Sequence, residues 1–513
     1  MASTVQINHT YENGNIRDVM TDYWVDHSQK ATLEEMMLDS QAETLSKVET
    51  PEILSMLPKV TGKRVLELGA GIGRFTGLLA EKASHVTAVD FMESFIRKNR
   101  ETNRHHKNAD FIQADVTKMD LPEESYDIIF SNWLMMYLTD EEVMKLAEQS
   151  LKWLKEGGLM FFRESCFHKS GDKARTVNPS VYRSPSLYNA LFQSVSKPIK
   201  GDEETSVGFD IIFTKSVQTY IKLKKNQNQL CWLLEKKRMQ SAAHHGYNTF
   251  QSFLDNQQYS KQGILRYEKI FGHGYVSTGG AETTKEFVAM LKLQPGQKVL
   301  DVGCGIGGGD FYMAKTYGTE VLGVDLSCNM IEIAMERASS QKGNPQVQFE
   351  ISDITKRDFE KESFDVVYSR DTILHIPDKA ALFATFLKWT KPGGKLLISD
   401  YCCGPPENHS ENFKKYVAQR GYVLYTPEEY GKLISNAGFT NVKAEDRTNQ
   451  FVDVLQREKK RFEAEKEEFL KDFSEEDYQY ILDGWDSKLK RCGAGDQRWG
   501  LFYAEKPLYI GED

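Results

Sequence analysis

The sequence predicts two α/β domains in tandem, each a mostly parallel sheet with helices on both faces. Three observations carry that reading: the length, an internal repeat, and a strand and helix rhythm inside each copy. At 513 residues the chain exceeds the size at which one hydrophobic core stops growing. Its 40% hydrophobic and 27% charged residues suit folded cores rather than long disorder. VLELGAGIGRFTG at 65–77 returns as VLDVGCGIGGGDF at 299–311, and four further landmarks follow in the same order. They are TAVD ending at Asp90 with LGVD ending at Asp325, and QAD at Asp115 with ISD at Asp353. YDIIFSNWLMMYL (126–138) then matches FDVVYSRDTILHI (364–376), and LKWLKEGGLMFFRES (151–165) matches LKWTKPGGKLLISDY (387–401). All lie about 235 residues apart, and chance does not keep five anchors in register.

Within the first copy the segments RVLELG, HVTAVD, ADFIQAD, YDIIFSN and GLMFFRE are strand-like, and helical patterns at 92–103 and 140–155 separate them. Strand, helix, strand in that order implies a parallel sheet covered on both faces, whose buried strands need no strict alternation. The second copy repeats the rhythm. We place the first domain at 1–235, a polar linker at 236–250 and the second domain at 251–513. QFVDVLQREKKRFEAEKEEFLKDF carries apolar residues at helical spacing between mixed charges, which predicts a surface helix on the second domain.

The net charge of -9 gives no basic footprint for nucleic acid, so a small-molecule substrate is expected. No apolar run reaches membrane-spanning length and MASTVQINHTYENGNIRD has no basic and apolar leader pattern. A cytoplasmic protein without membrane insertion is therefore expected. Seven cysteines without a C-x-x-C pair suit reduced thiols. His105, His106, His244 and His245 have no acidic or cysteine partners at ligand spacing, so no metal is expected.

In a doubly wound sheet the ligand sits beyond the carboxyl ends of the strands, where a glycine turn lets backbone approach it. Gly69, Gly71 and Gly73, like Gly303, Gly305 and Gly307, are spaced G-x-G-x-G, whereas a dinucleotide fingerprint runs G-x-G-x-x-G. Asp90 and Asp325 end the second strand of each copy, where a carboxylate can hold both ribose hydroxyls of a nucleoside. A nicotinamide-dependent oxidoreductase would also have an acid there. The second acid, Asp115 or Asp353, ends the next strand, positioned to accept from an adenine amino group. This set resembles the class I S-adenosylmethionine-dependent methyltransferases, which implies two Rossmann-like domains with one S-adenosylmethionine in each and no metal. The resemblance assigns Gly69, Arg74, Asp90, Asp115, Val116 and Asn132 to one donor. It assigns Val276, Ser277, Gly303, Asp325, Asp353, Ile354 and Arg370 to the other.

Methylation of nitrogen needs a lone pair, and a primary ammonium at pH 7 must first give up a proton. Asp371 and His375 lie four apart just after the fourth strand of the second copy. Arg420, Tyr416, Tyr422, Tyr401 and Lys488 offer the donors a phosphate would take, arginine through its fork. NQQYSKQGILRYEKIFGHGYVSTGG (256–280), SRDTILH and QRGY resemble the tandem phosphoethanolamine N-methyltransferases over nearly the whole chain. That resemblance implies stepwise methylation of phosphoethanolamine to phosphocholine, the precursor of phosphatidylcholine, the first domain adding the first methyl and the second the later ones. It makes Tyr259 and His375 the catalytic pair, with Asp371 beside them. Gln258, Tyr267, Tyr401, Tyr416, Arg420, Gly421, Tyr422 and Lys488 then line the phosphobase pocket.

The first copy departs from this pattern, because the repeat aligns Trp133 with Asp371 and Tyr137 with His375. FRESCFHKSGDKARTVNPSVYR resembles the first-domain acceptor segment of the tandem family, which implies Ser165, Ser170, Gly171, Arg175 and Tyr182 as phosphoethanolamine contacts. Trp133 and Tyr137 would offer aromatic faces to a cationic nitrogen. The alternative is a methyltransferase for another small amine, with one domain a non-catalytic ligand sensor.

Overall fold

The computed structural model describes residues 16–173, 178–199, 201–240, 249–341 and 346–508. The chain divides into two compact units, Met1–Ser241 and Ala242–Asp513. In the first unit β1 (Arg64–Leu68), β2 (His85–Asp90), β3 (Ala109–Gln113), β4 (Tyr126–Asn132) and β5 (Leu154–Ser165) form a parallel sheet in the order β5-β4-β1-β2-β3. β6 (Ser196–Ile199), β7 (Asp202–Ser216) and β8 (Gln229–Gln240) extend it by antiparallel pairing, β8 lying between β5 and β7.

The second unit repeats this order. β9 (Lys298–Val302), β10 (Glu320–Asp325), β11 (Val347–Ser352), β12 (Phe364–Arg370) and β13 (Thr390–Cys403) run parallel as β13-β12-β9-β10-β11. β14 (Thr440–Asp446) and β15 (Gln497–Glu505) complete it antiparallel, with β15 between β13 and β14. β1 and β9 are buried after their first residue, because helices cover both faces of a parallel sheet. Val65, Val86, Ile128, Phe130 and Phe161 belong to one core cluster of the first unit, and Leu300, Val302, Val367, Leu396 and Ile398 to one core cluster of the second.

Local sequence explains the helices. Thr139 and Glu142 make a reciprocal cap at the start of Asp140–Trp153, which buries Val143, Leu146, Ala147 and Leu151 on one stripe. The charge-dense tail is the helix Thr448–Ala464, with Phe451, Val454, Leu455, Glu458 and Phe462 turned inward. Part of the expected linker is strand: Lys236–Gln240 close β8, paired to β7 as far as Gln240 with Thr205. The run KKRMQ reads as linker because it presents almost no apolar residues, yet backbone pairing to a long partner strand is sufficient. Residues 241–248, including His244 and His245, lie outside the described residues.

Candidate active sites

The strand order reverses between β1 and β4, and again between β9 and β12, so each sheet opens a crevice at its carboxyl edge. Both crevices are framed alike. Gly71 N–H donates to Asp90 Oδ2 at 2.7 Å and Met92 N–H to Oδ1 at 2.9 Å. Gly305 and Ser327 N–H groups reach Asp325 Oδ2 and Oδ1, both at 2.9 Å. Each carboxylate thus fixes its glycine turn and keeps further lone pairs for a ligand. Burial pushes Asp90 up to about 6 against these backbone bonds, and Asp325 is raised for the same reason. Gly303 has φ +79°, and a Cβ there would overlap the Thr372 side chain, so only glycine brings the turn this close to β12.

One strand further on, Thr117 donates its N–H (3.0 Å) and hydroxyl (2.7 Å) to Asp115 Oδ1. Thr355 does the same to Asp353, at 3.0 and 2.6 Å. In the first unit Gly69, Arg74, Asp90, Asp115, Val116, Asn132, Ser165, Ser170, Gly171 and Tyr182 all line one cavity. Arg175 lies outside the described residues.

A buried guanidinium stands beside each donor crevice but comes from different strands. In the second unit Arg370 ends β12 opposite Ser399 of β13. It donates to Thr284 Oγ1 (2.7 Å) and to the Thr278 carbonyl (3.0 Å), which anchors the segment carrying Val276 and Ser277. In the first unit the matching pair is Asn132 of β4 and Arg163 of β5. Arg163 donates to Asn132 Oδ1 (3.1 Å) and pairs with Glu49 (2.8 Å), which also holds Arg74 at 2.6 Å. The trio leaves one net positive charge in the wall of the crevice. Burial is the largest single influence on Glu49 and raises its carboxyl, but the charges and hydrogen bonds of Arg163 and Arg74 together outweigh it and hold the carboxyl below the usual range.

After each crossover strand a short turn, Met135–Tyr137 or Ile373–His375, is held by a buried acid of the next strand. Glu164 accepts from the N–H groups of Leu134 (3.0 Å), Met135 (2.7 Å) and Met136 (3.2 Å). Asp400 accepts from Leu374 N–H at 3.3 Å and from the Tyr430 hydroxyl at 3.0 Å. Burial pushes both acids up to about 7.

The second cavity gathers Gln258, Tyr259, Tyr267, Val276, Ser277, Gly303, Asp325, Asp353, Ile354, Arg370, Asp371, His375, Tyr401, Tyr416, Arg420, Tyr422 and Lys488. The His375 ring meets Tyr422 edge to face at 5.1 Å. Burial first, then the charges of Arg420 and Lys379, depress His375 to about 4, so its imidazole is neutral at pH 7. Burial lifts Tyr259, which keeps its phenol protonated and available as a donor. Asp371 accepts from Trp499 Nε1 at 2.9 Å and from the Ser399 hydroxyl at 3.3 Å, while its Oδ2 is buried without a hydrogen-bond partner.

Gly421 departs from expectation. It closes the helix Glu411–Arg420 in the left-handed region at φ 65°, is exposed, and does not line the cavity. Its part is to turn the chain so that Tyr422 points back toward His375. Trp133 is also engaged differently from the expected open ring: Arg163 stacks on it at 3.7 Å and Gln229 Oε1 accepts its N–H at 2.8 Å.

Sequence reasoning missed Glu49, Arg163 and Gln229 in the first unit and Trp499, Tyr480 and Arg491 in the second. A lone arginine in the apolar strand FFRES was a usable signal. Tyr480, Gly484, Lys488 and Arg491 share one face of the helix Glu475–Gly493 by spacing and all line the cavity. Arg491 lies over the Tyr416 ring at 3.9 Å. Among the described residues no cluster of three or more His, Cys, Asp or Glu is placed to hold a metal, and no helix is long and apolar enough to cross a membrane.

Family models described as a methyltransferase domain match residues 65–158 and 293–452. Phosphoethanolamine N-methyltransferase 1 of Zea mays is 56% identical over 492 residues, 96% of this chain and 96% of its own. The Arabidopsis thaliana enzyme of that name is 55% identical, covering 96% of this chain and 98% of its own. The solved structure of Haemonchus contortus phosphoethanolamine N-methyltransferase 2, with phosphomonomethylethanolamine and S-adenosylhomocysteine, is 28% identical. It superposes with a TM-score of 0.74 over 90% of this chain and 99% of that one. On identity and coverage together, the chain belongs to the phosphoethanolamine N-methyltransferase family.

Proposed function

We propose that the chain transfers methyl groups from S-adenosylmethionine to the nitrogen of phosphoethanolamine, through mono- and dimethyl intermediates, to give phosphocholine. The observation that carries this reading is the second cavity. It holds a nucleoside-type acceptor pair, Asp325 and Asp353, in one enclosure with Arg420, Lys488 and a set of tyrosines suited to a phosphate. The ligands of the Haemonchus contortus relative support the same pairing of donor and phosphobase.

In each transfer the sulfonium S–CH3 bond breaks, the N–CH3 bond forms, the sulfur becomes a thioether and the amine gives up one proton. His375, neutral in this cavity, is positioned to take that proton, and Tyr259 to donate a hydrogen bond that orients the amine. Arg420 and Lys488 hold the phosphate, and Asp371 supplies a negative charge in the same cavity lining for the cationic nitrogen. Gly69, Arg74, Asp90, Asp115, Val116 and Asn132 hold the first donor, Arg74 receiving its carboxylate with Arg163 buried behind it. Ser165, Ser170, Gly171, Arg175 and Tyr182 hold the first acceptor. The first domain, which runs through β8 to Gln240, adds the first methyl and the second domain the later ones, and the protein is assigned to the cytoplasm.

Mass spectrometry of products from phosphoethanolamine tests this directly: successive mono-, di- and trimethyl species are expected. Asp90→Ala should stop conversion of phosphoethanolamine while leaving monomethyl and dimethyl phosphobases as substrates, and Asp325→Ala should halt the sequence at the monomethyl product. Intact phosphoethanolamine conversion in Asp90→Ala, with none in Asp325→Ala, would overturn the division. A ligand-sensing first domain is the second reading, favoured by Trp133 and Tyr137 standing where the second unit has Asp371 and His375. It requires that Asp325→Ala bind phosphoethanolamine without forming product.

A further inference from the structure

The two cavities share one hydrogen bond with its polarity reversed. Trp133 follows β4 and Asp371 follows β12, both in the left-handed region at φ 56° and 49°. Their N–H groups donate to equivalent carbonyls, Arg163 and Ser399, each at 2.8 Å. On the antiparallel neighbour, Gln229 pairs with Ser165 as Trp499 pairs with Tyr401. An indole N–H bond joins the two positions in both units. In the first the indole is Trp133 and the acceptor Gln229 Oε1, at 2.8 Å. In the second the indole is Trp499 and the acceptor Asp371 Oδ1, at 2.9 Å.

We propose that the direction of this bond sets the methylation state each domain accepts, with Gln229 and Trp499 as the specificity-determining residues. The proposal rests on the phosphobase reading above. Trp499 is fully buried behind the cavity wall and occupies one oxygen of Asp371, a residue of the cavity lining, which leaves the other oxygen buried and without a hydrogen-bond partner. A carboxylate attracts a cationic nitrogen through charge alone, so it retains an amine whose N–H groups methylation has removed. The first unit has no carboxylate at this point. Gln229 Nε2 instead donates to Ser165 Oγ (2.5 Å) and Ser170 Oγ (2.7 Å), which turns both hydroxyls into hydrogen-bonding groups of fixed direction. Recognition by hydrogen bonds weakens with every N–H replaced by methyl, so this cavity favours the unmethylated amine.

The test uses the full chain, with Asp90→Ala to report the second domain and Asp325→Ala to report the first. Phosphoethanolamine and its monomethyl and dimethyl forms are the substrates, and S-adenosylhomocysteine binding is followed by calorimetry. Trp499→Phe should raise KM for the dimethyl substrate by about tenfold with kcat changed less, and leave nucleoside binding unaltered. Trp499→His, which restores a ring N–H, should recover most of that loss. Gln229→Glu, which keeps the acceptor for Trp133 and adds a charge, should raise kcat/KM for the monomethyl substrate relative to phosphoethanolamine by about fivefold. Equal KM changes for the monomethyl and dimethyl substrates in Trp499→Phe, an unchanged ratio of kcat/KM values in Gln229→Glu, or nucleoside binding lost in parallel, would assign both residues to structure alone and overturn the proposal. Absence of turnover with all three substrates before mutation would instead remove the phosphobase reading itself.

Discussion

Glu49 is the most consequential single residue of the first crevice that does not touch the ligand in the proposed reaction. Its carboxylate is fully buried between Arg74 at 2.6 Å and Arg163 at 2.8 Å. Glu49→Gln keeps the shape and one acceptor but removes the charge that pairs with two buried guanidinium groups. Breaking such a pair costs about 3–5 kcal/mol, and the retained amide oxygen places the expected loss near the lower end, about 3 kcal/mol. For a domain of this size that corresponds to a fall in Tm of about 6–12 °C. The donor should behave in the opposite sense. A carboxylate arriving at Arg74 meets two uncompensated cations in the variant and one net charge in the native protein, so stabilisation by S-adenosylhomocysteine should be larger in Glu49→Gln. Calorimetric scans with and without the nucleoside measure both terms. The pH dependence supplies a third check: Glu49 is depressed, so its contribution is complete above its ordinary value of 4.5 and lost only as pH falls through its lower folded value. That acid loss should vanish in the variant. A destabilisation under about 1 kcal/mol, or nucleoside stabilisation no greater than in the native chain, would refute the view of Glu49 as counter-ion to both arginines.

Arg420→Met should move His375 from about 4 back toward 6.5, because the Arg420 charge is the largest cause of its depression after burial. The acid limb of kcat/KM for the second domain, measured in an Asp90→Ala background, should shift to higher pH as KM rises; an unmoved limb would detach His375 from the rate. Glu67, pushed up to about 8 by burial, accepts the Thr76 hydroxyl at 2.6 Å. Its folded value lies above its unfolded one, so its favourable contribution is complete below about 4.5 and is lost as pH rises through about 8. Glu67→Gln should therefore gain on the native protein between pH 6 and 9 by on the order of a few kcal/mol in urea denaturation; parallel curves would contradict the buried proton.

The sheet was legible because its signals are local. VLELG, HVTAVD and YDIIFSN carry their burial in runs of apolar residues, and G-x-G-x-G with the acids Asp90 and Asp115 lies within a few dozen residues of sequence. Lys236–Gln240 escaped because a strand paired through its backbone and solvated on its side chains has no apolar pattern to detect. Gly421 is assigned to the cavity by the family resemblance, whereas in the structure it closes a helix in the left-handed region beside Arg420 and Tyr422, which do line the cavity. Glu49, Gln229 and Trp499 escaped for another reason. Each acts on a residue far off in sequence, Arg163, Trp133 and Asp371 respectively, and only strand order brings them together. Trp499 in particular reads as a core aromatic, which by burial it is.

The repeat also shows what a crevice of this kind tolerates. Asn132 and Arg163 face each other across β4 and β5, and Arg370 and Ser399 face each other across β12 and β13, at the same step of the register. One arginine and one small polar partner are present in both, exchanged across the strand pair, and the two partners touch in each case, at 3.1 Å and 3.4 Å. What is held constant is therefore the buried positive charge beside the glycine turn rather than the residue that bears it. The surroundings follow the exchange. An arginine from β12 is satisfied by Thr284 and the Thr278 carbonyl, neutral groups, whereas one from β5 reaches back to Glu49 and needs Arg74 to restore a net positive charge. Replacing Arg370 by asparagine and Ser399 by arginine together would bring a second-unit arginine beside Asp371, which the Ser399 hydroxyl now reaches at 3.3 Å and which Trp499 already engages, with no counterpart of Glu49. The double variant should consequently bind S-adenosylhomocysteine less well than either the native chain or one in which a matching acid is supplied. Equal affinity without the added acid would mean that an arginine rooted in this strand needs no counterpart of Glu49.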